Sequence, residues 1–295
     1  MKRLLALFNR PDFRRNPPKA ILRRFVWRLR WLVLKESWTI SMSQGLRIRV
    51  PHGGAGALIY YQGFSEPQTA RFVMRFLRPG MTFIDIGAHV GEYTLLAAQA
   101  VGEAGEVHSF EPNPQIFGLL RENVCLNGFS NVRLLNHAVS DRDGHANFKI
   151  FSEPSISRLD HGSSQKTPLQ PQDLVNTVTV PTLRLDTYLG SPLRRVDLIK
   201  VDVEGAEQLV FLGATNLLSL PSAHAPVWIF EFSRENYAKF GFEPDGVREF
   251  LMRHEYRTWS LDGSPVCSGS RFANIVAAKE GMLPCFCAEP SSRPA

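Results

Sequence analysis

FIDIGAHVGEYT, residues 83–94, is the stretch that decides the fold of this chain. An apolar run ends on Asp85, two glycines follow at Gly87 and Gly91, and apolar helix-forming residues come next. A glycine-rich turn between a strand and a helix lets the backbone approach a ligand closely. The stretch therefore predicts a strand, a ligand-binding loop and a helix, in that order.

Short apolar runs alternate with helical segments along the rest of the chain. Buried strands are predicted over EVHSFEP, VDLIKVDV and VWIFEFS, and helices over PQIFGLLRENVCLN and AEQLVFLGATNLL. This alternation predicts an α/β fold with a mostly parallel sheet and helices on both faces. LRIRV and ALIYY predict a small strand pair before the sheet, and HANFKIF predicts an extra hairpin strand. Residues 152–175, rich in Ser, Pro and Gln, predict a long loop, and loops of that length inside a domain are usually functional or mobile.

The basic charge of the protein is concentrated at its N-terminus. The 295-residue chain has a net charge of +6, but residues 1–35 contain eleven Lys or Arg and one acid, which leaves a net charge of −4 on the remainder. A body of this composition lacks the basic groove of a nucleic-acid enzyme. We therefore divide the chain into a basic amphipathic extension (1–40), a globular domain (41–280) and a loose tail (281–295).

Residues 19–35 leave two interpretations open. Leucines and tryptophans alternate there with arginines. The segment is too short to span a bilayer, and its arginines make it too charged. It also lacks the uninterrupted apolar core and the cleavage site of a signal peptide. A helix of this composition can lie on an anionic membrane surface, or it can pack its apolar side on the domain and leave the arginines in water.

Cysteine and histidine usage indicates a reducing compartment and no metal site. The cysteines, Cys125, Cys267, Cys285 and Cys287, have irregular spacings that fit neither a disulfide framework nor a paired metal site. The eight histidines do not form a metal-binding spacing either. We therefore expect a cytoplasmic protein, peripheral on the inner face of the membrane if the N-terminal segment binds lipid.

The glycine spacing favours S-adenosylmethionine over a dinucleotide. Dinucleotide-binding loops have the pattern G-x-G-x-x-G, whereas this loop has G-x-x-x-G, with His89 at the position of the second glycine. Asp85 would repel a pyrophosphate but not a ligand with a cationic amino group. Glu111, at the end of the next strand, can accept hydrogen bonds from both ribose hydroxyls. Because Glu111 would suit NAD equally well, it indicates a ribose and not the identity of the cofactor.

Five motifs in a fixed order give a family resemblance. FIDIGAHVGEYT, FEPNP, LLNHAVSDRDG, TLRLDTYL and DLIKVDVEGAEQLVFLGA together resemble the FkbM family of S-adenosylmethionine-dependent methyltransferases, over roughly residues 60–235. The resemblance implies a class I methyltransferase fold, in which a largely parallel seven-stranded sheet has one antiparallel strand. It also implies methyl transfer, typically to a hydroxyl oxygen of a sugar or natural product.

The cofactor-binding residues follow from this resemblance position by position. The matched residues are Asp85, Gly87, His89, Gly91, Glu111 and Ala138. Ala138 and its neighbours match the segment that walls the adenine. Where the family usually has asparagine, this chain has His89. A neutral imidazole can replace the hydrogen bond of an amide, so we expect cofactor binding to persist.

Acidic residues end two of the predicted strands. The strand period of two places Lys200, Asp202 and Glu204 on one face, and Glu231 ends a neighbouring strand. The carboxyl ends of parallel strands form the ligand-binding edge of an open sheet. Methyl transfer to a hydroxyl needs a base, and Asp202 is our first candidate, while Glu204 and Glu231 are alternatives or ligands of the acceptor hydroxyls. Glu204 and Glu207 can also be interpreted as acids that complement the dipole of the next helix.

The identity of the methyl acceptor and the reaction itself stay open at this point. We expect a hydroxyl-bearing small molecule or glycan, in a pocket shaped by residues 152–175. A methyltransferase for another acceptor class fits the same motifs. A membrane-associated binding module that keeps the fold with little turnover is the alternative outside enzymology, since His89 and the basic N-terminus depart from the family. A nucleic-acid enzyme that methylates exocyclic amines would need an Asn/Asp-Pro-Pro-aromatic turn, and VDVEG is not one.

Overall fold

The computed structural model describes residues 11–34, 36–160, 173–243, 245–266 and 272–282. Its strands are β1 (Trp38–Ser41), β2 (Arg47–Val50), β3 (Thr82–Ile86), β4 (Glu106–Phe110), β5 (Val132–Leu135), β6 (Ala138–Val139), β7 (Gly144–Phe151), β8 (Arg158–Leu159), β9 (Leu174–Leu183), β10 (Leu198–Val201), β11 (Val227–Ser233), β12 (Arg257–Ser260) and β13 (Phe272–Ala278). Its helices are α1 (Pro11–Arg15), α2 (Pro17–Val33), α3 (Gly54–Gln62), α4 (Pro67–Phe76), α5 (Glu92–Val101), α6 (Pro114–Leu126), α7 (Leu185–Leu189), α8 (Glu207–Leu212), α9 (Thr215–Leu218), α10 (Arg234–Phe240) and α11 (Gly246–Arg253).

Seven of these strands form the central sheet, in the order β12-β13-β11-β10-β3-β4-β5. The five strands β11, β10, β3, β4 and β5 are parallel to one another, and β13 runs antiparallel to β11 and β12. The predicted α/β fold with one antiparallel strand is therefore confirmed. Every residue of β10 and β11 is buried, which is typical of parallel strands covered on both faces. The strand order changes direction between β3 and β10, and a crevice forms beyond their carboxyl ends.

A second sheet, with the order β6-β9-β7-β8, follows β5 along the chain. HANFKIF lies in β7, which pairs antiparallel with β8 and β9, so the prediction of an additional hairpin strand is confirmed. The prediction of a continuous loop over residues 152–175 is wrong at both ends, because β8 lies within that range and β9 begins at Leu174. The start of β9 is exposed on both faces, so it has no apolar period that would reveal a strand. Residues 161–172 lie outside the described ranges.

The predicted strand over ALIYY is wrong as well. These residues belong to α3, and the partner of β2 is β1. Gly63 ends α3 in the left-handed conformation (φ 92°), and its N–H donates to the carbonyl oxygen of Ile59. A short apolar run fits a strand and a helix equally well, so tertiary contacts decide between them. Here Tyr60 and Tyr61 contact Trp27 of the N-terminal extension.

Helix α2 of the N-terminal extension packs one apolar side on the domain. Asn16 caps the helix, since its side chain accepts the N–H of Lys19 at 3.1 Å. Trp27 and Trp31 are buried, and the ring of Trp27 stacks on Tyr60 with the centroids 5.6 Å apart. No helix within the described ranges is both long and apolar enough to cross a membrane. This side of α2 is therefore part of the core.

Some predictions concern parts of the chain outside the described residues. Cys267, Cys285 and Cys287 lie there, as do residues 1–10 of the extension and residues 283–295 of the tail. Cys125 lies near the end of α6, where its thiol is exposed and free.

Replacement of Trp27 by alanine tests how firmly α2 belongs to the core. Trp27→Ala removes the ring that contacts Trp31, Trp38 and Tyr60, so it should lower the free energy of unfolding by about 3–5 kcal/mol. Phe25→Ala on the same helix is the matched control, because Phe25 is 62% exposed and its loss should cost no more than about 0.5 kcal/mol. Urea unfolding followed by tryptophan fluorescence and circular dichroism measures both. Equal effects of the two substitutions would show that α2 is not anchored by its tryptophans.

Candidate functional site

A cavity of about 370 Å³ lies beyond the carboxyl ends of β3, β4, β10 and β11. Small-molecule sites have volumes of roughly 300–1,000 Å³. The walls come from the loop after β3, the end of β4, the rim after β10 and β11, the second sheet and one side of α3. The cavity therefore occupies the crevice at which open α/β sheets bind ligands.

Two glycines shape the loop between β3 and α5, for different reasons. Gly87 has φ 79°, and a Cβ atom added there would lie 1.9 Å from the carbonyl oxygen of Asp202. The loop thus passes so close to the chain after β10 that a side chain would not fit. Gly91 has φ 93°, and a Cβ atom there would lie 2.5 Å from the side chain of Leu120. Gly87 lines the cavity, whereas Gly91 lies outside its wall and serves the packing of α5 on α6.

His89 lies in the same loop with a left-handed backbone conformation (φ 52°). Asparagine and histidine both tolerate this conformation better than most residues, which explains why histidine can stand where the family has asparagine. Burial lowers the pKa of His89 to about 4, so the imidazole is neutral at physiological pH. His89 lines the cavity, and its buried Nε2 atom has no hydrogen-bond partner among the described residues. A ligand can therefore complete the hydrogen bonding of this ring.

Asp85 lies behind the loop and not in the cavity wall. Its side chain is fully buried, and Oδ2 accepts a hydrogen bond from Thr94 Oγ1 at 2.7 Å. Burial raises the pKa of the Asp85 carboxyl, while the ammonium of Lys200, its register partner on β10, opposes the shift. The assignment of Asp85 to the cofactor-binding residues stays a prediction, and in this structure its carboxyl does not line the cavity. Because β3 turns this side chain into the core, Asp85 supports the loop from behind.

Glu111 follows β4 and lines the cavity. Its Oε2 accepts the backbone N–H of His89 at 2.9 Å, and its Oε1 accepts that of Asn113 at 2.8 Å. Burial raises the pKa of Glu111 to about 7, although the two N–H groups oppose the shift. The carboxylate is thus held against the loop between β3 and α5 that contains Gly87 and Gly91, which we call the glycine loop, at the place where a ribose acid is expected. Ala138, the first residue of β6, also lines the cavity.

The rim after β10 contains a partly buried ion pair. Lys200 Nζ lies 2.8 Å from Asp202 Oδ2 and 4.6 Å from the ring centre of Tyr93. Burial alone would lower the pKa of Lys200, but the carboxylates of Asp202 and Asp85 raise it above its ordinary range. Lys200 is buried, whereas 34% of the Asp202 side chain remains accessible. Asp202 is therefore the member of the pair that a ligand in the cavity can reach.

Glu204 and Glu231 lie next to this pair. Glu231 is buried, and its Oε2 has no hydrogen-bond partner in the described part of the chain. Burial, followed by the nearby carboxylates of Asp202 and Glu204, raises the pKa of Glu231 well above its ordinary range. Burial therefore favours the protonated form of Glu231, which can donate a hydrogen bond. Glu204, with φ 56°, accepts a hydrogen bond from Asn236 Nδ2 at 3.1 Å.

These three acids also form a group that can hold a cation. One carboxylate oxygen from each of Asp202, Glu204 and Glu231 lies within 4.8 Å of the others. Oxygen donors of this kind suit Mg²⁺ or Ca²⁺. The sequence-based expectation of no metal site considered only histidine and cysteine spacings. The three acids were expected at one edge of the sheet as a base or as ligands of the acceptor hydroxyls, and not as ligands of a cation.

Glu207 begins α8 and is fully buried below the rim. Its Oε1 accepts the backbone N–H groups of Val203 at 3.2 Å and Gly205 at 3.3 Å. Burial raises the pKa of Glu207 to about 8. The interpretation of this acid as a helix-start residue therefore fits, and its hydrogen bonds fix the turn that contains Glu204.

Several residues of the cavity wall were missed from the sequence. Glu92 accepts hydrogen bonds from Ser65, at 2.8 Å from the backbone nitrogen and 2.5 Å from the hydroxyl. Tyr93 donates its hydroxyl proton to Glu66 Oε2 at 3.1 Å, and all four residues line the cavity. The sequence signal that could have revealed them was the polar pair Glu92-Tyr93 directly after Gly91. The partners lie 27 positions upstream, a separation that no secondary-structure period connects.

Comparison with known proteins agrees with this geometry. The model of the methyltransferase FkbM domain matches residues 85–258, more than half of the chain. The chain belongs to the FkbM methyltransferase family. This FkbM-family protein is 28% identical over 199 residues to the 2-O-methyltransferase NoeI of Sinorhizobium fredii, an alignment that covers 63% of this chain and 76% of NoeI.

Two further comparisons concern proteins that carry the family name. The FkbM-family protein is 24% identical over 197 residues to the 31-O-demethyl-FK506 methyltransferase FkbM of Streptomyces tacrolimicus, covering 59% and 75% of the two chains. The crystal structure of methyltransferase FkbM from Methylobacillus flagellatus KT aligns with 14% identity and a TM-score of 0.42, covering 76% of this chain and 52% of that one. Family membership confirms the resemblance found in the sequence, and the protein is an S-adenosylmethionine-dependent methyltransferase.

Removal of the Glu111 carboxylate tests the cofactor side of the FkbM-family cavity. Glu111→Ala should weaken the binding of S-adenosylmethionine by about 1–3 kcal/mol, because it removes charge-assisted hydrogen bonds. Isothermal titration calorimetry measures this change, and Glu103→Ala, at an exposed acid, is the control. Binding of NAD, or an unchanged affinity of Glu111→Ala, would contradict the assignment of the ribose site.

The buried acid Glu207 predicts how stability depends on pH. Its pKa rises from an ordinary value of 4.5 to about 8, so the folded state keeps a proton that the unfolded chain has already lost. The resulting stabilisation is complete below pH 4.5 and is lost as the pH rises through about 8. Glu207→Gln keeps the acceptor oxygen and cannot ionise. The melting temperature of the variant should therefore rise relative to that of the parent as the pH increases. A constant difference between the two melting temperatures from pH 5 to pH 9 would contradict this account.

Proposed function

We propose that the protein transfers the methyl group of S-adenosylmethionine to a hydroxyl oxygen of a sugar, a glycolipid or a natural product. The observation that carries the proposal is the acidic rim of Asp202, Glu204 and Glu231, which shares one cavity with the glycine loop. Carboxylates bind acceptor hydroxyls and also supply a base. Two relatives, a 2-O-methyltransferase and a 31-O-demethyl-FK506 methyltransferase, are named for methyl transfer to oxygen, which supports the proposal.

The donors and acceptors of the cavity fit S-adenosylmethionine. Glu111 would accept hydrogen bonds from the ribose, the free Nε2 of His89 would bond to a polar group of the cofactor, and Ala138 would contact the adenine. The acids around the cavity favour a ligand with cationic groups. When bound, S-adenosylmethionine supplies a methyl group that is already activated. The protein therefore has to align the acceptor and remove one proton.

Asp202 is the proposed general base. Its carboxylate takes the proton that the acceptor hydroxyl loses when its oxygen accepts the methyl group. Lys200 Nζ, at 2.8 Å, holds this carboxylate in one orientation at the cavity wall. Because Lys200 is anchored in the sheet, the base does not have to be ordered again in each reaction cycle.

Glu231 and Glu204 are proposed to orient the acceptor. The protonated Glu231 can donate a hydrogen bond to an acceptor oxygen, whereas Glu204 can accept one from a second hydroxyl. Asn236 fixes the Glu204 carboxylate at 3.1 Å. Residues of the 152–175 segment, Pro154, Ser155 and Ser157 among them, line the same cavity, which supports their proposed role in acceptor choice.

A survey of acceptors tests the reaction class. The purified protein is incubated with S-adenosylmethionine and with separate pools of sugars, glycolipids and hydroxylated natural products. Mass spectrometry should detect an acceptor that gains the mass of one CH₂ group, and fragmentation should place the methyl group on oxygen. Tight cofactor binding without turnover on any pool would favour the alternative of a binding module that keeps the fold.

Substitution of Asp202 tests the proposed base. Asp202→Asn is nearly isosteric but cannot accept the proton, so kcat should fall by about 100- to 10,000-fold. The affinity for S-adenosylmethionine should stay within about threefold, because the residue acts on the acceptor. Asp245→Asn is the control, because Asp245 is an exposed acid that does not line the cavity. If Asp202→Asn retains kcat within about threefold of the parent, then the base lies elsewhere, with Glu204 and Glu231 as the next candidates.

A further inference from the structure

Helix α2 has a second apolar face that the fold leaves open. Its inner face, formed by Ala20, Trp27 and Trp31, is buried on the domain. Six large apolar residues on the same helix point away from the core, with exposed fractions between 48% and 80%. These residues, which we call the outer face, are Ile21, Leu22, Phe25, Leu29, Leu32 and Val33. Monomeric proteins rarely expose so many large apolar side chains together.

The outer face is one continuous strip on the helix. At 3.6 residues per turn, the six residues fall within an arc of about 120°, opposite the inner face. The same geometry places Arg24 and Arg28 along one border of the strip, and Lys19, Arg23 and Arg30 along the other. The helix thus has an apolar strip between two basic borders, which is the distribution expected of a helix at a lipid–water interface.

The charge of the surrounding segment selects the kind of partner. Residues 11–34 contain seven Lys or Arg and one acid, Asp12, whose Oδ2 is bonded by Arg24 at 2.6 Å. A second copy of the chain docked symmetrically on this face would bring two such basic segments together, at a Coulombic cost. An anionic surface would be attracted to the same segment.

We propose that the outer face of α2 lies on an anionic lipid surface. The apolar strip enters the boundary between headgroups and acyl chains, while the exposed Lys19 and Arg28 on its two borders meet the lipid phosphates. The helix is held in shape by Trp27 and Trp31 before it reaches the membrane, so binding does not require the ordering of a disordered segment. The two interpretations that the sequence left open therefore describe two faces of one helix.

Vesicle binding by the full-length protein tests the outer face. Vesicles of phosphatidylcholine with phosphatidylglycerol should sediment the protein at low salt and release it at high salt, whereas pure phosphatidylcholine vesicles should bind it much less. Phe25→Gln with Leu29→Gln should weaken binding to the anionic vesicles by about tenfold or more, because the strip loses its apolar contact with lipid. Arg28→Gln should weaken it by about fivefold, which corresponds to one basic residue near an anionic surface.

Matched variants separate this effect from damage to the fold. Met252→Gln, at an apolar residue that is 65% exposed on α11, and Arg121→Gln, at an exposed arginine on α6, should leave vesicle binding unchanged. The outer-face variants should keep the melting temperature and the affinity for S-adenosylmethionine of the parent. Vesicle binding does not depend on the proposed methyl transfer, so either can fail without the other.

Three results would overturn the proposal. The first is no sedimentation with anionic vesicles at low salt. The second is full retention of vesicle binding by the Phe25→Gln/Leu29→Gln protein. The third is a dimer in analytical ultracentrifugation that this double substitution dissociates, which would make a second copy the occupant of the outer face.

Discussion

The ammonium group of Lys200 lies within the central sheet, in register with Asp85 on β3 and 2.8 Å from the carboxylate of Asp202 at the rim. Thr94 extends this polar network, since its hydroxyl lies 2.7 Å from Asp85 and 2.8 Å from Ser109 on β4. A charge that is buried without partners costs several kcal/mol. Neighbouring strands and α5 are therefore held in the arrangement that pairs Lys200, and the glycine loop and the acidic rim meet because of it.

Five acids around, below or behind the cavity have pKa values raised by burial. They are Asp85, Glu92, Glu111, Glu207 and Glu231. In such surroundings a carboxyl group is easier to keep neutral than charged. A cationic ligand in the cavity would favour the ionised forms again, so occupancy of the cavity and proton release are linked. The site thus accommodates many acids without accumulating an equal number of negative charges.

The sequence predicted the central sheet because its strands are apolar runs separated by helices, and because DIG and FEP mark strand ends. It predicted the cavity residues Gly87, His89 and Glu111 for the same reason, since they follow directly on those strands. Errors arose where local pattern and tertiary contact disagree. The local pattern of ALIYY fits a strand and a helix equally well, and in the structure it forms a helix whose tyrosines pack on Trp27.

Other features were hidden because they depend on the neighbours of a residue. Asp85 and Gly91 belong to the cofactor motif, yet the structure turns one into the core and packs the other on α6. The two apolar faces of α2 could not be told apart, because a helical period shows where apolar residues cluster and not which cluster is covered. The pairing of Glu92 with Ser65 likewise has no counterpart in any local pattern.

Helix α3 contacts two parts of the molecule, the cavity and helix α2. Gly54, Ala55 and Leu58 line the cavity, and Tyr60 lies against Trp27 of α2. Both helices precede residue 85, where the match to the FkbM domain begins. One side of the cavity is therefore built from residues that precede the matched range. Because α3 also packs on α2, a change in the N-terminal helix would alter the shape of the cavity from a distance.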